Sequence, residues 1–237
     1  MDRPLYLLNP YLKEFEATVT KTDRTYVVLD QTAFYPNAGG QPFDKGVIER
    51  LSDHKVFGVV YVGKFNDTIS HEVDQIGLQV GDKVKCRIDW ERRYIHMRMH
   101  TAAHVLSKVI FDSTGAKTSG NQLGEDQSRI DFTLENFDRD RIFEWFQEVN
   151  KRIQKGAEVH SRLLSREEAF RIPDLVRSNV TLIPETVKVI RVVDIPGVDI
   201  EACGGTHLRN ISEIGKIVFL KAENKGKDNR RIYFTLE

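Results

Sequence analysis

The chain has 237 residues, which is enough for one large domain or two small ones. Hydrophobic residues make up 40% of it and charged residues 30%, a balance that supplies enough apolar side chains for a folded core. Lysine plus arginine and aspartate plus glutamate each number 35, so the formal net charge is zero, which argues against a nucleic-acid binder held by bulk charge but leaves room for a local basic groove.

Cysteine content and hydropathy limit the cellular setting. The two cysteines, Cys86 and Cys203, are too few for the disulfide framework of a small secreted protein. The N-terminus lacks the basic start and apolar run of a signal peptide, and no stretch approaches the roughly 18 apolar residues of a membrane span. We therefore expect a soluble cytoplasmic protein without membrane contact, and no sequence feature indicates a protein partner.

The first 90 residues have the character of β-structure. Runs rich in Val, Thr, Tyr and Phe alternate with polar turns, as in "EFEATVTKTDRTYVVLDQTAFYP", "KVFGVVYVG" and "DKVKCRIDW". Short strands at this spacing predict a small barrel or sandwich. We assign a β-barrel-like domain that carries a glycine-rich motif to residues 1–90.

Helical periodicity begins at Trp90. The apolar stripe runs to Gly115 and comprises Ile95, Met99, Ala102, Ala103, Leu106, Val109 and Ile110. A second helix is predicted before Gly156, with an apolar face made of Ile142, Phe143, Phe146, Val149 and Ile153. Strand patterns such as "SRIDFTL", "VKVIRVVDI" and "RRIYFTLE" surround it. We therefore predict an α+β fold, in which residues 91–237 form a domain with a largely antiparallel sheet packed on helices.

Two short motifs contain residue types that bind metals. His100 and His104 in "MHTAAH" are four positions apart on the first predicted helix, which places both imidazoles on one face. Cys203 and His207 in "ACGGTH" have the same spacing across a Gly-Gly turn that lets the backbone curl. Because histidine and cysteine are the ligands that zinc prefers, we predict that the four side chains bind one Zn²⁺.

The sequence leaves the chemical role of this ion open. A protease of the H-E-x-x-H type is not indicated, because Thr101 stands where its glutamate would be. Four protein ligands are typical of a closed structural site, whereas a catalytic zinc keeps one position open. A loose ligand or a fifth coordination position would reconcile the four ligands with catalysis.

In combination, "HTAAH" and "ACGGTH" resemble the editing domain of alanyl-tRNA synthetases and its freestanding relatives, the AlaX proteins. Upstream, "AFYPNAGGQPFDKG" is similar to the family's glycine-rich stretch, and downstream "EIGKIVFLKAENKGKDNRRIYF" is similar to its closing strands. The metal motifs are shared with threonyl-tRNA synthetase editing domains, but the glycine-rich stretch makes the resemblance specific to the alanyl branch. Since we expect no aminoacylation domain, the chain is identified as a member of the medium-length freestanding class.

The resemblance implies trans-editing, the hydrolysis of the ester between alanine tRNA and a wrong amino acid. Serine is the usual substrate amino acid, and glycine is a second candidate. A small pocket rejects an added hydroxyl poorly, whereas a second site that hydrogen-bonds this hydroxyl discriminates better. The resemblance also implies that His100, His104, Cys203 and His207 form the catalytic zinc site. The ion would activate water, anchor the substrate's α-amino group or orient the pocket.

Substrate-binding residues follow from the same resemblance. Thr118 in "GAKTSGNQL" falls where the family places a polar side chain in the pocket, so its hydroxyl is assigned to serine recognition, with an ordinary loop threonine as the alternative. Gly39, Gly40 and Gln41 are also assigned to substrate binding, with a tight turn at the rim of the barrel as the alternative. Ala103 departs from the family, which often has threonine there, and this removes one hydroxyl from the expected pocket.

Basic residues cluster in two places, and the partner implied by the resemblance is mischarged tRNA(Ala). From the closing strands and from the start of the first helix we assign five residues to RNA contact: Arg92, Arg93, Lys225, Arg230 and Arg231. A solvated charged surface is the alternative, because Glu213, Glu223 and Asp228 dilute the cluster on the strands.

Two other functions fit the same residues. One is a non-enzymatic tRNA-binding module that zinc stabilises, and the other is a deacylase for a different mischarged tRNA or small ester. The substitution His100→Ala separates the first from an enzyme, since a structural ion is needed for folding and a catalytic one for turnover. A panel of substrates separates the second.

Overall fold

The computed structural model of the chain describes residues 3–136, 138–172, 175, 183 and 185–237. It divides into two compact units, Met1–His96 and Met97–Glu237, and the division falls inside a long helix. The assignment of two domains with a boundary at 90/91 stays a prediction. Within the described ranges, no helix is both long enough and apolar enough to cross a membrane.

The first unit consists of eight strands, one short helix and the start of the long helix. Its elements in chain order are β1 (Arg3–Pro4), α1 (Leu5–Leu8), β2 (Glu14–Asp23), β3 (Tyr26–Leu29), β4 (Gln31–Thr32), β5 (Gly46–Arg50), β6 (Val56–Phe65), β7 (Thr68–Val73) and β8 (Lys83–Ile88). Six strands close into a barrel in the order β2-β3-β7-β6-β5-β8, and all neighbouring pairs are antiparallel. The predicted small N-terminal β-barrel is confirmed.

Alternation of buried and exposed side chains along the strands produces the barrel core. In β2, Phe15, Ala17 and Val19 are buried at every second position, which is the period of a strand with one apolar face. Cys86 of β8 is completely buried in the same core. Burial raises the pKa of the Cys86 thiol, so this cysteine behaves as a small apolar residue rather than as a nucleophile.

Gly46 shows why the glycine-rich stretch ends in glycine. Its φ is 154°, and a Cβ there would lie 2.1 Å from the carbonyl oxygen of Arg87 on the paired strand β8. No other residue fits without moving this backbone, so Gly46 fixes the close pairing of β5 with β8.

The long helix α2 (Trp90–Thr114) matches the predicted helix at both ends. At its start, the Asp89 carboxylate accepts a hydrogen bond from the backbone N–H of Arg92 at 3.2 Å. At its end, Gly115 has a φ of 75°, a conformation that favours glycine and stops the helix. The stripe residues Met99, Ala102, Ala103, Leu106, Val109 and Ile110 are buried.

The second unit adds three helices and seven strands to the rest of α2 in the described ranges. They are β9 (Thr118–Gln122), β10 (Ser128–Phe132), α3 (Arg139–Lys155), β11 (His160–Ser165), α4 (Arg166–Phe170), β12 (Val189–Ile195), β13 (Asp199–Ala202), a 3₁₀ helix (Ile211–Ile214), β14 (Ile217–Asn224) and β15 (Arg230–Leu236). The strands form two sheets, β14-β15-β10-β9 and β11-β12-β13, in which all pairs are antiparallel. The predicted α+β fold is confirmed.

One detail of the predicted helix α3 is wrong. Phe143 was expected on its apolar face, but its side chain is 66% exposed. Trp145 is buried instead, and its indole Nε1–H donates to Ser113 Oγ at 2.6 Å. A tryptophan at the border of the buried face of a helix can be buried when its indole N–H has an acceptor. Here the acceptor is Ser113, which lies too far away in the sequence to be predicted from the local pattern.

Candidate metal centre

Four predicted metal ligands lie together in the second unit. His100 and His104 project from α2, and Cys203 and His207 come from the segment that follows β13. One ligand atom from each of the four lies within 4.8 Å of the others. The two motifs therefore converge on one point, although His100 and Cys203 are 103 positions apart in the chain.

The spacing of these atoms matches a zinc site. Cys203 Sγ lies 3.5 Å from His100 Nε2 and 3.2 Å from His207 Nε2. In a tetrahedral site with ordinary zinc–sulfur and zinc–nitrogen bond lengths, neighbouring ligand atoms are about 3.3–3.6 Å apart. Three imidazoles and one thiolate are also a donor set that zinc prefers. The residues present thus fit a zinc ion in both chemistry and spacing.

Protonation favours the forms that bind a metal. Burial alone would raise the pKa of the Cys203 thiol, but the adjacent His100 and His207 imidazoles lower it well below its usual value. Burial lowers the pKa of His207 to about 3. A thiolate and a neutral imidazole are the ligating forms of these side chains.

Carboxylates lie behind one of the ligands. His104 Nδ1 is 3.0 Å from Asp199 Oδ2 and 3.3 Å from Glu201 Oε2. The Asp199 side chain is 1% exposed and the Glu201 side chain 23% exposed. A carboxylate at the second ring nitrogen is the usual outer partner of a histidine ligand, and it was not predicted from the sequence.

A hydroxyl group occupies the corresponding place behind another ligand. Thr101 Oγ1 is 3.2 Å from His207 Nδ1, and it also accepts the backbone N–H of Leu208 at 3.2 Å. Thr101 is fully buried. Thr101, which stands where the H-E-x-x-H protease motif would have glutamate, thus connects α2 to the second metal motif.

The Gly-Gly turn of the second motif is fixed by Arg191 on β12. The guanidinium of Arg191 donates to the carbonyl oxygens of Cys203 at 2.8 Å and of Gly205 at 3.0 Å. Within the turn, the backbone N–H of Gly205 lies 3.3 Å from Cys203 Sγ and donates to it. Hydrogen bonds from the backbone stabilise a thiolate, so the turn supports the ligating form of Cys203.

Comparison with known proteins places the chain in a family. The model of the threonyl and alanyl tRNA synthetase second additional domain matches residues 190–233, which include Cys203 and His207. The model of class II (A) tRNA synthetases matches residues 7–92. The alanyl-tRNA editing protein AlaX-M of Methanosarcina barkeri is 52% identical over the whole chain and 99% of its own length.

This chain belongs to the AlaX-M family of alanyl-tRNA editing proteins. The AlaX-M protein of Saccharolobus solfataricus is 40% identical, with both chains covered in full. The alanine–tRNA ligase of Pyrococcus furiosus is 37% identical over 98% of the chain, which corresponds to 25% of the ligase. The resemblance deduced from the metal motifs and the glycine-rich stretch is confirmed.

In this AlaX-M family member, Thr118 begins β9 and is half-buried. Its hydroxyl donates to Ser107 Oγ at 3.2 Å, and Ser107 lies on α2 one turn after His104. Thr118 therefore belongs to a strand rather than to a loop. Its recognition of a serine hydroxyl stays a prediction.

A tight turn forms at the predicted substrate residues of the glycine-rich stretch. Gly39 and Gly40 have φ values of 58° and 80° and are exposed. Ala38 and Gln41 exchange both backbone hydrogen bonds across them, at 3.2 and 2.9 Å, and the Gln41 side chain is buried. This is the two-residue turn named as the alternative, and substrate binding by its residues stays a prediction.

All five residues assigned to RNA have partners within their own units, and they differ in how exposed they are. Arg93 is fully buried against Asp44, whereas Arg92 is half-buried, with its Nε 3.3 Å from the Phe43 carbonyl oxygen. A buried guanidinium has no access to a phosphate group, so we leave Arg93 out of the proposed RNA contacts.

The closing strands show the same distinction. Arg230 is 7% exposed and donates to carbonyl oxygens of its own turn, among them Gly226 at 2.6 Å. Arg231 forms a bidentate salt bridge with Asp131 on β10, with nitrogen–oxygen distances of 2.7 and 2.9 Å. Lys225 is exposed in the turn between β14 and β15, with its Nζ 3.8 Å from Glu223 Oε2. Of the three, Lys225 has the accessibility that a phosphate contact requires.

Proposed function

We propose that this protein hydrolyses mischarged tRNA(Ala), with Ser-tRNA(Ala) as its main substrate and Gly-tRNA(Ala) as a second one. Water adds to the carbonyl carbon of the amino acid, the ester bond to the terminal ribose breaks, and the ribose oxygen takes a proton. The convergence of His100, His104, Cys203 and His207 on one point carries the proposal. The names of the alanyl-tRNA editing relatives support it from outside the structure.

The enzyme is proposed to depend on zinc bound by these four side chains. A zinc ion there supplies Lewis acidity beside the ester. The protein's own part is to hold a thiolate and neutral imidazoles in place, which Arg191 and the Gly205 N–H support at the Cys203 turn.

Selection of the amino acid is assigned to Thr118. A hydroxyl group can both donate to and accept from the hydroxyl of a serine substrate. Alanine lacks the hydroxyl that would bond to this group, and this is the physical basis for sparing correctly charged tRNA. The bond from Thr118 to Ser107 ties the hydroxyl to the helix that carries His104, which supports a place near the site.

RNA contact is proposed for the exposed Lys225 and for the half-buried Arg92, each within its own unit. Both are single positive charges on a chain of zero net charge, so docking depends on local rather than bulk electrostatics. We place the reaction in the cytoplasm, where charged tRNA is used in translation.

The test is deacylation by the purified zinc-loaded protein of four substrates: Ser-tRNA(Ala), Gly-tRNA(Ala), Ala-tRNA(Ala) and Ser-tRNA(Ser). We expect release of serine from tRNA(Ala), slower or no release of alanine, and little action on Ser-tRNA(Ser). Equal release from all four would contradict selection by amino acid and tRNA. Binding of tRNA without any release, in a protein that contains zinc, would favour the binding module.

A further inference from the structure

Two of the four zinc ligands have a buried oxygen atom next to ring nitrogen Nδ1. His104 Nδ1 faces Asp199 Oδ2 at 3.0 Å, and His207 Nδ1 faces Thr101 Oγ1 at 3.2 Å. Asp199 is 5% exposed and Thr101 is fully buried, so water does not compete effectively for these contacts. In His207 the other ring nitrogen, Nε2, is the atom next to Cys203 Sγ.

We infer that Asp199 and Thr101 are positioning residues, which hold His104 and His207 with the proton on Nδ1 and present Nε2 of each ring to the metal. This inference rests on the metal-binding part of the proposed function. It concerns the orientation of the ligands and not the identity of the substrate. Outer partners of this kind fix ring orientation and typically change metal affinity 10- to 100-fold.

The hydroxyl of Thr101 acts as an acceptor in this arrangement. Its oxygen has two lone pairs, and one already receives the backbone N–H of Leu208. The second is available to the Nδ1–H of His207. Because Leu208 directly follows His207, one oxygen atom fixes both the backbone and the ring of the second metal motif.

For His104 the structure offers two carboxylates, and their geometry ranks them. Asp199 is closer to Nδ1 than Glu201 is, 3.0 against 3.3 Å, and its side chain is 1% rather than 23% exposed. A buried acceptor that is charged binds an N–H more strongly than one that shares its partner with water. Asp199 is therefore the main partner, and Glu201 provides a matched control two residues away on β13.

The same three side chains, His104, Asp199 and Glu201, also have the spacing of a second cation site. The inference excludes that use, because a ring nitrogen that carries a proton cannot bind a metal. Among the residues that the structure describes, this leaves one zinc site. Two ions per chain in the wild-type protein would overturn the assignment.

The first experiment measures zinc affinity by competition with a chelating dye. Thr101→Val and Asp199→Ala are expected to bind zinc about 10- to 100-fold more weakly than the wild type. Thr101→Ser keeps the acceptor and should remain near the wild type, and so should Glu201→Ala. Wild-type affinity in both Thr101→Val and Asp199→Ala would overturn the inference, as would a loss in Glu201→Ala equal to that in Asp199→Ala.

The second experiment distinguishes positioning from general damage to the fold. In the zinc-loaded protein, NMR of the imidazole groups should show slowly exchanging Nδ1–H protons on His104 and His207. Thr101→Val should speed exchange at His207 alone, and Asp199→Ala at His104 alone. Equal effects of either substitution on both rings, or a wild-type ring bound through Nδ1, would overturn the inference.

Thr101→Val leaves the buried N–H of Leu208 unpaired, so this variant is less stable than the others. If it fails to fold, Thr101→Ser and Asp199→Ala still decide the matter through affinity and exchange. Deacylation of Ser-tRNA(Ala) by the wild type is measured in parallel. Zinc binding with the expected ring protons but without turnover would defeat the proposed function alone, and turnover with different ring protons would defeat this inference alone.

Discussion

Asp44 and Arg93 form an ion pair in which both side chains are completely buried in the first unit. Arg93 Nε lies 2.9 and 3.0 Å from the two carboxylate oxygens, and the backbone N–H of Tyr35 donates to the same carboxylate at 2.6 Å. The pair connects the "GGQPFDKG" stretch to the first turn of α2. The aspartate of this stretch therefore stabilises the unit that contains it.

Removing Arg93 should destabilise the protein without changing its electrostatic contact with RNA. Arg93→Ala leaves the Asp44 carboxylate buried and unpaired, which costs about 3–5 kcal/mol in the free energy of unfolding. Denaturant titration measures the loss, and the half-buried neighbour Arg92→Ala is the control. A stable Arg93→Ala protein with a reduced salt dependence of tRNA binding would restore Arg93 as an RNA contact.

The Asp131–Arg231 pair predicts a pH-dependent stability. Burial by itself would raise the pKa of Asp131, but the bond and charge of Arg231 hold it below its usual value. A carboxyl with a lowered folded pKa contributes stability above its ordinary pKa near 4, and this contribution disappears as the pH falls through the folded pKa. Asp131→Asn should lower the free energy of unfolding by about 1–3 kcal/mol at pH 7.

As the pH falls through the lowered folded pKa of Asp131, Asp131→Asn and the wild type should converge in stability. Glu167→Gln is the control, since Glu167 pairs with Arg171 where the two side chains are 76% and 72% exposed, and this pair should matter little at any pH in the range. Chemical denaturation across pH 3–8 gives the comparison. An Asp131→Asn effect that is constant over this range would show that the stabilisation does not depend on the carboxylate charge.

Lys225 should contribute one phosphate contact. Lys225→Ala is expected to weaken tRNA binding and to reduce the slope of log affinity against log salt by about 0.7–0.9. Lys151→Ala, at an exposed position on α3, removes the same charge and serves as the control. If both substitutions change the slope equally, the positive charge acts over a long range and not through a contact at the β14–β15 turn.

Thr118 should affect serine more than glycine. Thr118→Val is expected to lower kcat/KM for Ser-tRNA(Ala) about tenfold, the cost of one lost hydrogen bond, and to leave Gly-tRNA(Ala) nearly unchanged because glycine has no hydroxyl. Thr118→Ser restores the hydroxyl and should recover the rate. Equal losses on both substrates would assign Thr118 to the shape of the site and not to amino-acid recognition.

Zinc retention should depend on one cysteine and not on the other. Cys203→Ser replaces a thiolate ligand with a poor one and should weaken zinc binding by more than the ~100-fold that loss of an outer partner causes. Cys86→Ser makes the same change in the barrel core and should keep zinc at the wild-type ratio. Metal analysis after dialysis provides the measurement, and equal zinc in both variants would separate Cys203 from the site.

Patterns with a short range were predictable from the sequence. The helical stripe from Trp90 to Gly115 and the alternation along β2 each depend on neighbours within a few positions, and the structure contains both. The grouping of His100, His104, Cys203 and His207 was also predictable, since His100 with His104 and Cys203 with His207 are local pairs. The two pairs could be assigned to one ion from the sequence because histidine and cysteine are both scarce in this chain.

Long-range partners were not predictable in the same way. The burial of Arg93 depends on Asp44, which is 49 positions away, and Trp145 depends on Ser113, 32 positions away. Asp199 had a detectable signal, because Asp199 and Glu201 alternate on one face of β13 and Cys203 follows at the same spacing just after the strand. Thr101 had none, since its role depends on where His207 lies in the folded chain.

The separation of the two metal motifs has a consequence for folding. An ion bound by His100 and Cys203 ties together positions 103 residues apart, much as a disulfide would. A disulfide persists in the unfolded chain, but a metal ion is released there, so the ion stabilises the folded unit by its binding free energy. The free energy of unfolding of the second unit would therefore depend on the zinc concentration as well as on the amino-acid sequence.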